Sequence, residues 1–348
     1  MAMFKKIPAL LLLLSLVLPL ASCSKIQGYL SEQAAIRPPE STVTIRTKYG
    51  LACNAPSLEG SLYGPALKSA LDQGLQQNLD YEYHVATRTG SDTLSAPIQQ
   101  LINLNCTLIF AADSAFQDVV LQLARENPGV KFVCMDADYM RKEVTSNLLS
   151  LQMNINEGFY LAGYMLSKIG GIKSIGYMGS VAEQESHAPL LQSYIAGAQM
   201  GNPAVKVHSV FVNRTDKPSE CTEKAADLYN GSGAGCVFYD LPQSLLPDAA
   251  ALSKSLNKGM VTVDAGAELK AKGLLYASVD RRADVLALEI ITNLRTAGTF
   301  DNSIIRNGTL SNNAISLGQF YSPLISKTLV QDLEDISRKI GSGEIQMP

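Results

Sequence analysis

Carboxylate side chains follow several predicted strands of this chain at the points where each strand ends. Asp113, Asp240 and Asp264 each come after an apolar run. A carboxylate can accept hydrogen bonds from a ligand, and two neighbouring carboxylates can carry out acid–base chemistry. Asp136 and Asp138 form such a pair after another apolar run, but capping and turn formation are the commoner roles of aspartate there. These positions therefore favour ligand contacts over catalysis.

The remaining polar residues do not form a pattern typical of catalysis. His84 and His208 lie within predicted strands, and His187 lies in a predicted loop. The glycine-rich stretch 231–235 follows a predicted helix and precedes a strand, which is the reverse of the order in a phosphate-binding loop. The sequence also lacks a P-loop, a Gly-x-Ser-x-Gly elbow and a His-Glu-x-x-His motif. We therefore expect no enzymatic activity, no metal and no cofactor, and a hydrolase is the least favoured function.

The first 23 residues have the pattern of a bacterial lipoprotein signal. Lys5 and Lys6 precede an apolar run, 7–20, and the segment ends in Leu-Ala-Ser-Cys at Cys23. The run is too short and wrongly flanked for a membrane-spanning helix. The final tetrapeptide resembles the lipobox, in which the cysteine is acylated and becomes the first mature residue. We therefore expect 1–22 to be removed and Cys23 to anchor the protein outside the cytoplasm, the alternative being an ordinary signal peptide.

The composition restricts what the body of the protein can bind. The formal net charge is −3, so nucleic-acid binding has no electrostatic support. No second apolar run approaches the roughly 20 residues needed to span a bilayer. The cysteines after Cys23 have no metal-site spacing and are Cys53, Cys106, Cys134, Cys221 and Cys236. We expect buried thiols, with a Cys221–Cys236 disulfide as the alternative.

Strand-like and helix-like segments alternate along most of the chain. The stretch 23–41 has no sustained period and is interpreted as a tether. After it, apolar strand-like runs such as 107–111 alternate with helix-period segments such as 115–126. This β-α-β-α order predicts a parallel sheet covered by helices on both faces. The last helix is predicted to have Ser322 as its N-cap and to stop at Gly341.

One short motif occurs twice. Asn127-Pro128 and Asn202-Pro203 each end a predicted helix and introduce a strand. Proline cannot continue the helix, so the dipeptide stops it. Two lobes of similar α/β design would produce this echo, and coincidence between two common loops is the alternative.

Several longer motifs occur in the order found in one protein family. The stretch 156–163 reads Asn-Glu-Gly-Phe-Tyr-Leu-Ala-Gly, and 174–179 reads Ser-Ile-Gly-Tyr-Met-Gly. Val263-Asp264 and then Arg281 follow. The chain resembles the basic membrane protein family, whose best-understood members are purine-nucleoside receptors of ABC importers. The resemblance implies an α/β protein with the type I periplasmic-binding-protein fold, which has two Rossmann-like lobes joined by three crossovers.

The resemblance also implies an organisation and a set of partners. The first lobe would comprise 42–150 and 275–296, and the second would comprise 151–274 and 297–348. A small polar ligand, nucleoside-like by family, would bind in the interlobe cleft, and an ABC permease and ATPase would be the partners at the membrane. The alternative function is an envelope lipoprotein on the same fold that acts as a sensor or partner-binding protein without transport.

The resemblance further implies the ligand-binding residues, with differences from the family pattern. Glu59 stands where the family has aspartate, and Leu62 replaces the aromatic that stacks on the base. Tyr63 is adjacent but is expected to point elsewhere on a helix. Arg281 matches the position of a family lysine. The candidate ligand-binding residues are Glu59, Ser61, Asp113, Phe116, Asp240, Asp264 and Arg281.

Overall fold

The computed structural model describes residues 46–140, 142–213, 217–266, 275–301, 303–318, 320–322 and 324–348. The predicted signal peptide 1–22, the lipidation site Cys23 and the tether 23–41 lie outside the described residues. Arg46–Pro348 clusters as one unit. Within the described ranges, no helix has the length and apolar character to cross a bilayer.

Strands and helices alternate as the sequence predicts. The described strands are β1 (Thr47–Cys53), β2 (Tyr81–Thr87), β3 (Leu108–Ala111), β4 (Lys131–Met135), β5 (Leu148–Met153), β6 (Ser174–Ser180), β7 (Lys206–Val212), β8 (Cys236–Tyr239), β9 (Gly259–Val263), β10 (Leu275–Arg281), β11 (Ile305–Gly308) and β12 (Ile315–Leu317). The described helices are α1 (Gly64–Gln76), α2 (Ala96–Asn103), α3 (Gln117–Glu126), α4 (Ile155–Lys168), α5 (Ala188–Gly201), α6 (Pro218–Ala226), α7 (Leu246–Ser255), α8 (Ala283–Thr296) and α9 (Lys327–Gly341).

The strands form two sheets with matching orders. The first has the order β11-β5-β4-β3-β1-β2, and the second has the order β12-β10-β9-β8-β6-β7. All pairs in the first sheet are parallel. The second sheet is also parallel except for β12, which runs antiparallel to β10. Position by position, β3 corresponds to β8, β4 to β9 and β5 to β10. The predicted α/β architecture with two Rossmann-like sheets is therefore confirmed.

The chain crosses between the sheets after β5, between β10 and β11, and between β11 and β12. We expected 275–296 in the first lobe, and for β10 this was wrong, because β10 pairs with β9 in the second sheet. The following helix, α8, packs against α1 on the first lobe. We likewise expected 297–348 in the second lobe, but β11 pairs with β5. An apolar run predicts a strand, but it does not specify which of two similar sheets the strand joins.

The last helix begins later than expected, and the repeated Asn-Pro motif fits the alternative of two common loops. Ser326, rather than Ser322, caps the last helix, and its hydroxyl accepts a hydrogen bond from the Leu329 N–H. The two Asn-Pro motifs make the same turn but precede β4 and β7, which do not correspond in the two sheet orders. The echo therefore reflects a common loop rather than an internal repeat.

The cysteines after Cys23 are all buried and carry free thiols. The alternative of a Cys221–Cys236 disulfide is therefore wrong. Cys221 lies in α6, where its Sγ is 3.7 Å from the sulfur of Met178. Burial raises the pKa of the Cys221 thiol to about 11, so it is protonated at neutral pH and packs as a small apolar group.

Helices α4 and α5 approach each other backbone to backbone in the second lobe. A Cβ added at Gly163 would lie 2.0 Å from the carbonyl oxygen of Tyr194. A Cβ added at Gly197 would lie 1.9 Å from the carbonyl oxygen of Tyr160. Neither contact can be relieved by a side-chain rotation, because the obstructing atom belongs to the backbone. Glycine at both positions therefore sets the distance between the two helices.

We expect Gly163→Ala to lower the free energy of unfolding by about 2 kcal/mol, because overpacking outweighs the roughly 1 kcal/mol that alanine contributes to a helix. Gly129→Ala is the matched control, since a Cβ there meets no atom within 4 Å. Urea unfolding of both variants measures the difference. A Gly163→Ala variant as stable as Gly129→Ala would contradict this packing.

Candidate functional site

Two aspartates occupy corresponding positions at the ends of β4 and β9. Asp136 has φ 50° and Asp264 has φ 48°, a left-handed conformation that aspartate tolerates better than most residues. The Asp136 N–H donates to the Leu151 carbonyl on β5 at 2.8 Å, and the Asp264 N–H donates to the Val279 carbonyl on β10 at 2.9 Å. Each aspartate thus turns the chain sharply while remaining attached to the neighbouring strand.

The side chains of these two aspartates make equivalent bonds. Oδ1 of Asp136 accepts the backbone N–H of Met153 at 2.9 Å. Oδ1 of Asp264 accepts the backbone N–H of Arg281 at 2.7 Å. Met153 ends β5 and Arg281 ends β10, and the chain crosses to the other lobe after each. Each carboxylate therefore holds the residue at which a crossover begins.

Arg281 and Asp264 also form an ion pair. The Arg281 Nε lies 2.7 Å and its Nη2 lies 2.5 Å from Oδ2 of Asp264. Burial lowers the pKa of Arg281, but Asp264 together with Tyr63 and Asp136 outweighs burial and raises it. Nη1 of Arg281 donates to no described residue. The pair is thus internally satisfied and leaves one edge of the guanidinium for another partner.

Tyr63 brings the first lobe into contact with this pair. The guanidinium carbon of Arg281 lies 5.7 Å from the centre of the Tyr63 ring, a cation–π geometry. The Tyr63 hydroxyl donates to Oδ2 of Asp136 at 2.5 Å. Contrary to expectation, Tyr63 is buried and Leu62 is 57% exposed, because Tyr63 is the residue before α1 rather than part of the helix.

Asp136 is exposed to solvent, although the surrounding protein partly desolvates its carboxyl group. This desolvation raises the pKa of the carboxyl group above the ordinary value. The hydrogen bonds from the Tyr63 hydroxyl and the Met153 N–H oppose this rise. The nearby carboxylate of Asp113 also raises it, and Arg281 lowers it. Asp113, Asp136 and Arg281 are therefore close enough to interact electrostatically at the carboxyl ends of the two sheets.

The other predicted residues of the first lobe have different environments. Oδ1 of Asp113 accepts the Ala115 N–H at 2.8 Å and caps a short turn. Phe116 is fully buried in the core of the first lobe, so its ring does not face the cleft. Glu59 is exposed. The Ser61 hydroxyl accepts the Gly64 N–H at 3.2 Å and is buried at the start of α1.

Asp240 follows β8 in the second lobe and is 8% exposed. Its Oδ2 accepts the Tyr177 hydroxyl at 2.7 Å and contacts His187 Nδ1 at 2.7 Å. The hydrogen bond to Asp240 raises the pKa of His187, whereas burial lowers it. Glu183 raises the pKa further and Arg281 lowers it, which places His187 within electrostatic range of the cleft.

The structure thus brings together Asp113, Asp240, Asp264 and Arg281 of the predicted set, and it adds residues that the set omits. Those are Tyr63, Asp136 and His187. Asp136 carried the same signal as Asp264, since both directly follow an apolar strand. Nothing local marked Tyr63 or His187, because their roles depend on partners far away in the sequence.

Among the described residues, the site carries more negative than positive charge. Its carboxylates are those of Asp113, Asp136, Asp240 and Asp264, and its basic groups are Arg281 and His187. Among the described residues, no group of three or more His, Cys, Asp or Glu side chains has an arrangement that could hold a metal ion. Such a site suits a neutral ligand that donates hydrogen bonds to carboxylates and disfavours an anionic one.

The sequence matches a known family and its relatives. A family model described as ABC transporter substrate-binding protein PnrA-like matches residues 63–348. Basic membrane protein A of Borreliella burgdorferi is 24% identical over 279 residues, covering 76% of this chain and 77% of that protein. A protein of Lactococcus lactis subsp. cremoris, named ABC transporter nucleoside-binding protein BmpA, is 25% identical over 199 residues, covering 55% of this chain and 54% of that protein.

Solved structures show the same fold. A solute-binding protein of an ABC transporter system from Conexibacter woesei superposes with a TM-score of 0.73 at 18% identity, covering 87% of this chain and 98% of that chain. A solute-binding protein from Aeropyrum pernix superposes with a TM-score of 0.65 at 15% identity, covering 87% and 94% of the two chains. The predicted resemblance and the predicted fold class are both confirmed.

The Asp264–Arg281 pair can be tested with a double-mutant cycle. We expect Asp264→Asn and Arg281→Gln to show a coupling energy of about 1–3 kcal/mol in urea unfolding, because the pair is partly shielded from water. The exposed pair Arg338–Asp335 is the control and should couple by about 0.5 kcal/mol or less. Equal coupling in the two cycles would contradict the structural role of the inner pair.

Proposed function

The chain belongs to the family of PnrA-like ABC transporter substrate-binding proteins, and we propose that it is a lipid-anchored receptor for a neutral nucleoside-like ligand. The ligand binds in the interlobe cleft, and the receptor delivers it to an ABC permease in the same membrane. Lipid attachment at Cys23 keeps the receptor near the permease at a high effective concentration. Its location is the outer side of the membrane that carries the anchor.

Tyr63 and Asp136 from the first lobe lie close to Asp264 and Arg281 from the second. This proximity is the main support for the proposal. These residues lie at the carboxyl ends of parallel strands, where open α/β sheets generally bind their ligands. The crossovers begin directly beside them, so a ligand held here contacts both lobes at the hinge. Binding would therefore favour closure of the lobes around the ligand.

The side chains in the cleft suit a nucleoside more than a nucleotide. Carboxylates accept hydrogen bonds from ribose hydroxyls and from amino groups of a base. The excess of negative charge disfavours a phosphate. The face of Tyr63 is already covered by Arg281, so the planar guanidinium of Arg281 is the surface on which a base would stack. The Lactococcus lactis relative described as nucleoside-binding supports the same ligand class.

A thermal-shift panel of nucleosides and their 5′-monophosphates tests this function on the unit Arg46–Pro348. A ligand at about 100 times its Kd stabilises the folded state by about 2.7 kcal/mol, which raises Tm by several degrees. We expect one or more nucleosides to give this rise and the matching monophosphates to give much less. Arg281→Lys should reduce the response, because an ammonium cannot stack, whereas Arg338→Lys on the surface of α9 should not.

A panel without any response would instead favour the partner-binding alternative. A response to monophosphates as large as the response to nucleosides would contradict the proposed ligand class.

The anchor is tested separately on the full chain in a bacterial host that acylates lipoproteins. We expect mass spectrometry to show a mature N-terminus at Cys23 carrying acyl chains, and the protein to fractionate with membranes. Cys23→Ala should abolish acylation and release the protein from the membrane fraction, because alanine has no thiol to which an acyl chain can attach. Cys53→Ala is the matched control. Membrane association that survives Cys23→Ala without acylation would contradict the anchor.

A further inference from the structure

The carboxylates of the cleft differ in how many of their oxygens are already bonded. Both oxygens of Asp136 accept hydrogen bonds, one from Tyr63 and one from the Met153 N–H. Both oxygens of Asp264 accept hydrogen bonds from Arg281. In Asp240, Oδ2 takes both described donors, and Oδ1 accepts a hydrogen bond from none of the described residues. Oδ1 of Asp240 can therefore accept a hydrogen bond from a ligand.

Asp240 is enclosed but reachable. Its side chain is 11% exposed, and its backbone N–H continues the ladder between β8 and β6 by donating to the Met178 carbonyl at 2.9 Å. Asp240 directly follows β8, and β8 pairs with β9, after which Asp264 lies. The open oxygen of Asp240 thus lies at the same carboxyl edge as the Asp264–Arg281 pair.

Two donors from different elements fix the orientation of this carboxylate. Tyr177 lies on β6 and is fully buried, with its ring packed beside Tyr194 and Phe238. His187 lies at the start of α5, and its Nδ1 contacts the same oxygen, Oδ2, of Asp240. Because both donors use Oδ2, the carboxylate plane is held and Oδ1 is left in a defined place.

His187 also has access to water. Its side chain is 31% exposed and borders a cavity of about 730 Å³, whose other walls include Gln184, Ser209 and Phe211. The charged groups that face the imidazole are Asp240, Glu183 and Arg281. Since the imidazole exchanges protons with solvent and its pKa is raised, it keeps a positive charge beside Asp240 to a higher pH than an ordinary histidine would and loses that charge as the pH rises further.

We propose that His187 positions Asp240 as the acceptor through which the second lobe binds a hydroxyl or amino group of the ligand. This inference rests on the proposed function. Asp240 would accept a hydrogen bond from the ligand, whereas both oxygens of Asp264 already accept hydrogen bonds from Arg281. A closing cleft removes water from Asp240, and a carboxylate balanced by imidazolium loses less on dehydration than a lone carboxylate. Affinity for a neutral ligand should therefore fall as the pH rises past the titration of His187.

The first arm of the test needs no ligand. The chain has three histidines, His84, His187 and His208, so removing each in turn from the protein assigns their NMR signals. We expect His187 to titrate above the ordinary value of about 6.5 and to return toward it in Asp240→Asn. An unshifted His187 that does not respond to Asp240→Asn would overturn the positioning role.

The second arm measures affinity by calorimetry, using whichever nucleoside gives the largest thermal shift. We expect His187→Ala to bind the nucleoside about tenfold more weakly than wild type. His187→Gln retains a hydrogen-bond donor, so at pH 8 its affinity should lie within about threefold of that of wild type. Wild type should bind several-fold more weakly at pH 8.5 than at pH 6, and this pH dependence should disappear in both variants. His208→Ala on β7 is the matched control and should bind as wild type does.

The two arms separate the possible failures. Absence of nucleoside binding in the wild type would overturn the proposed function and, with it, the ligand contact of Asp240. Nucleoside binding that is unchanged in His187→Ala and independent of pH would overturn this inference while leaving the proposed function intact.

The His187–Asp240 pair also makes the stability of the folded protein depend on pH. The folded-state pKa of His187 is raised, so its contribution to stability is fully present below the unfolded value of about 6.5 and is lost as pH rises through the folded value. The difference in urea midpoint between wild type and His187→Gln should therefore be larger at pH 5.5 than at pH 8.5. A difference that does not change with pH would count against the charged pair.

Discussion

The structure depends on two aspartate carboxylates that hold the backbone where the chain leaves each sheet. Asp136 and Asp264 end corresponding strands, take the same left-handed conformation and bind the N–H of Met153 and Arg281. A residue in this conformation is under local strain, and it persists only when its surroundings compensate. Here the compensation is a pair of hydrogen bonds for each aspartate. The same turns place both carboxylates beside the cleft.

The crossovers that begin beside Asp136 and Asp264 are each hydrogen-bonded to the third crossover. The Asn154 N–H donates to the Gly308 carbonyl at 2.8 Å, and the Arg282 N–H donates to the Ala314 carbonyl at 2.7 Å. Glu157, which is 8% exposed, accepts the Leu310 N–H at 2.7 Å and so ties the first crossover to the third. These short links favour a hinge motion over independent movement of the lobes. A ligand bound beside Asp136 and Asp264, as proposed, would lie next to these linked crossovers.

Much of the fold was predictable because it depends on local periodicity. Apolar runs and helical spacing gave the correct alternation, and family motifs located Asp264 and Arg281 at a strand end. The sheet to which β10 belongs was not predictable, because its residues would suit either sheet equally. Tyr63 was misjudged for a local reason, since it was expected within a helix, whereas α1 begins at Gly64 and leaves Tyr63 just before it. His187 required knowledge of Asp240, which lies 53 positions away.

The proposed ligand would contact both lobes at once, at the carboxyl ends of both sheets. Amide hydrogen exchange with and without a saturating nucleoside tests it most directly, because protection reports closure segment by segment. We predict that 112–116 and 136–140 in the first lobe and 240–245 and 264–266 in the second become protected together. The opposite ends of the strands, including 172–174 and 204–206, should not change. Protection confined to one lobe, or centred on those opposite ends, would show that the ligand does not bind between the two lobes.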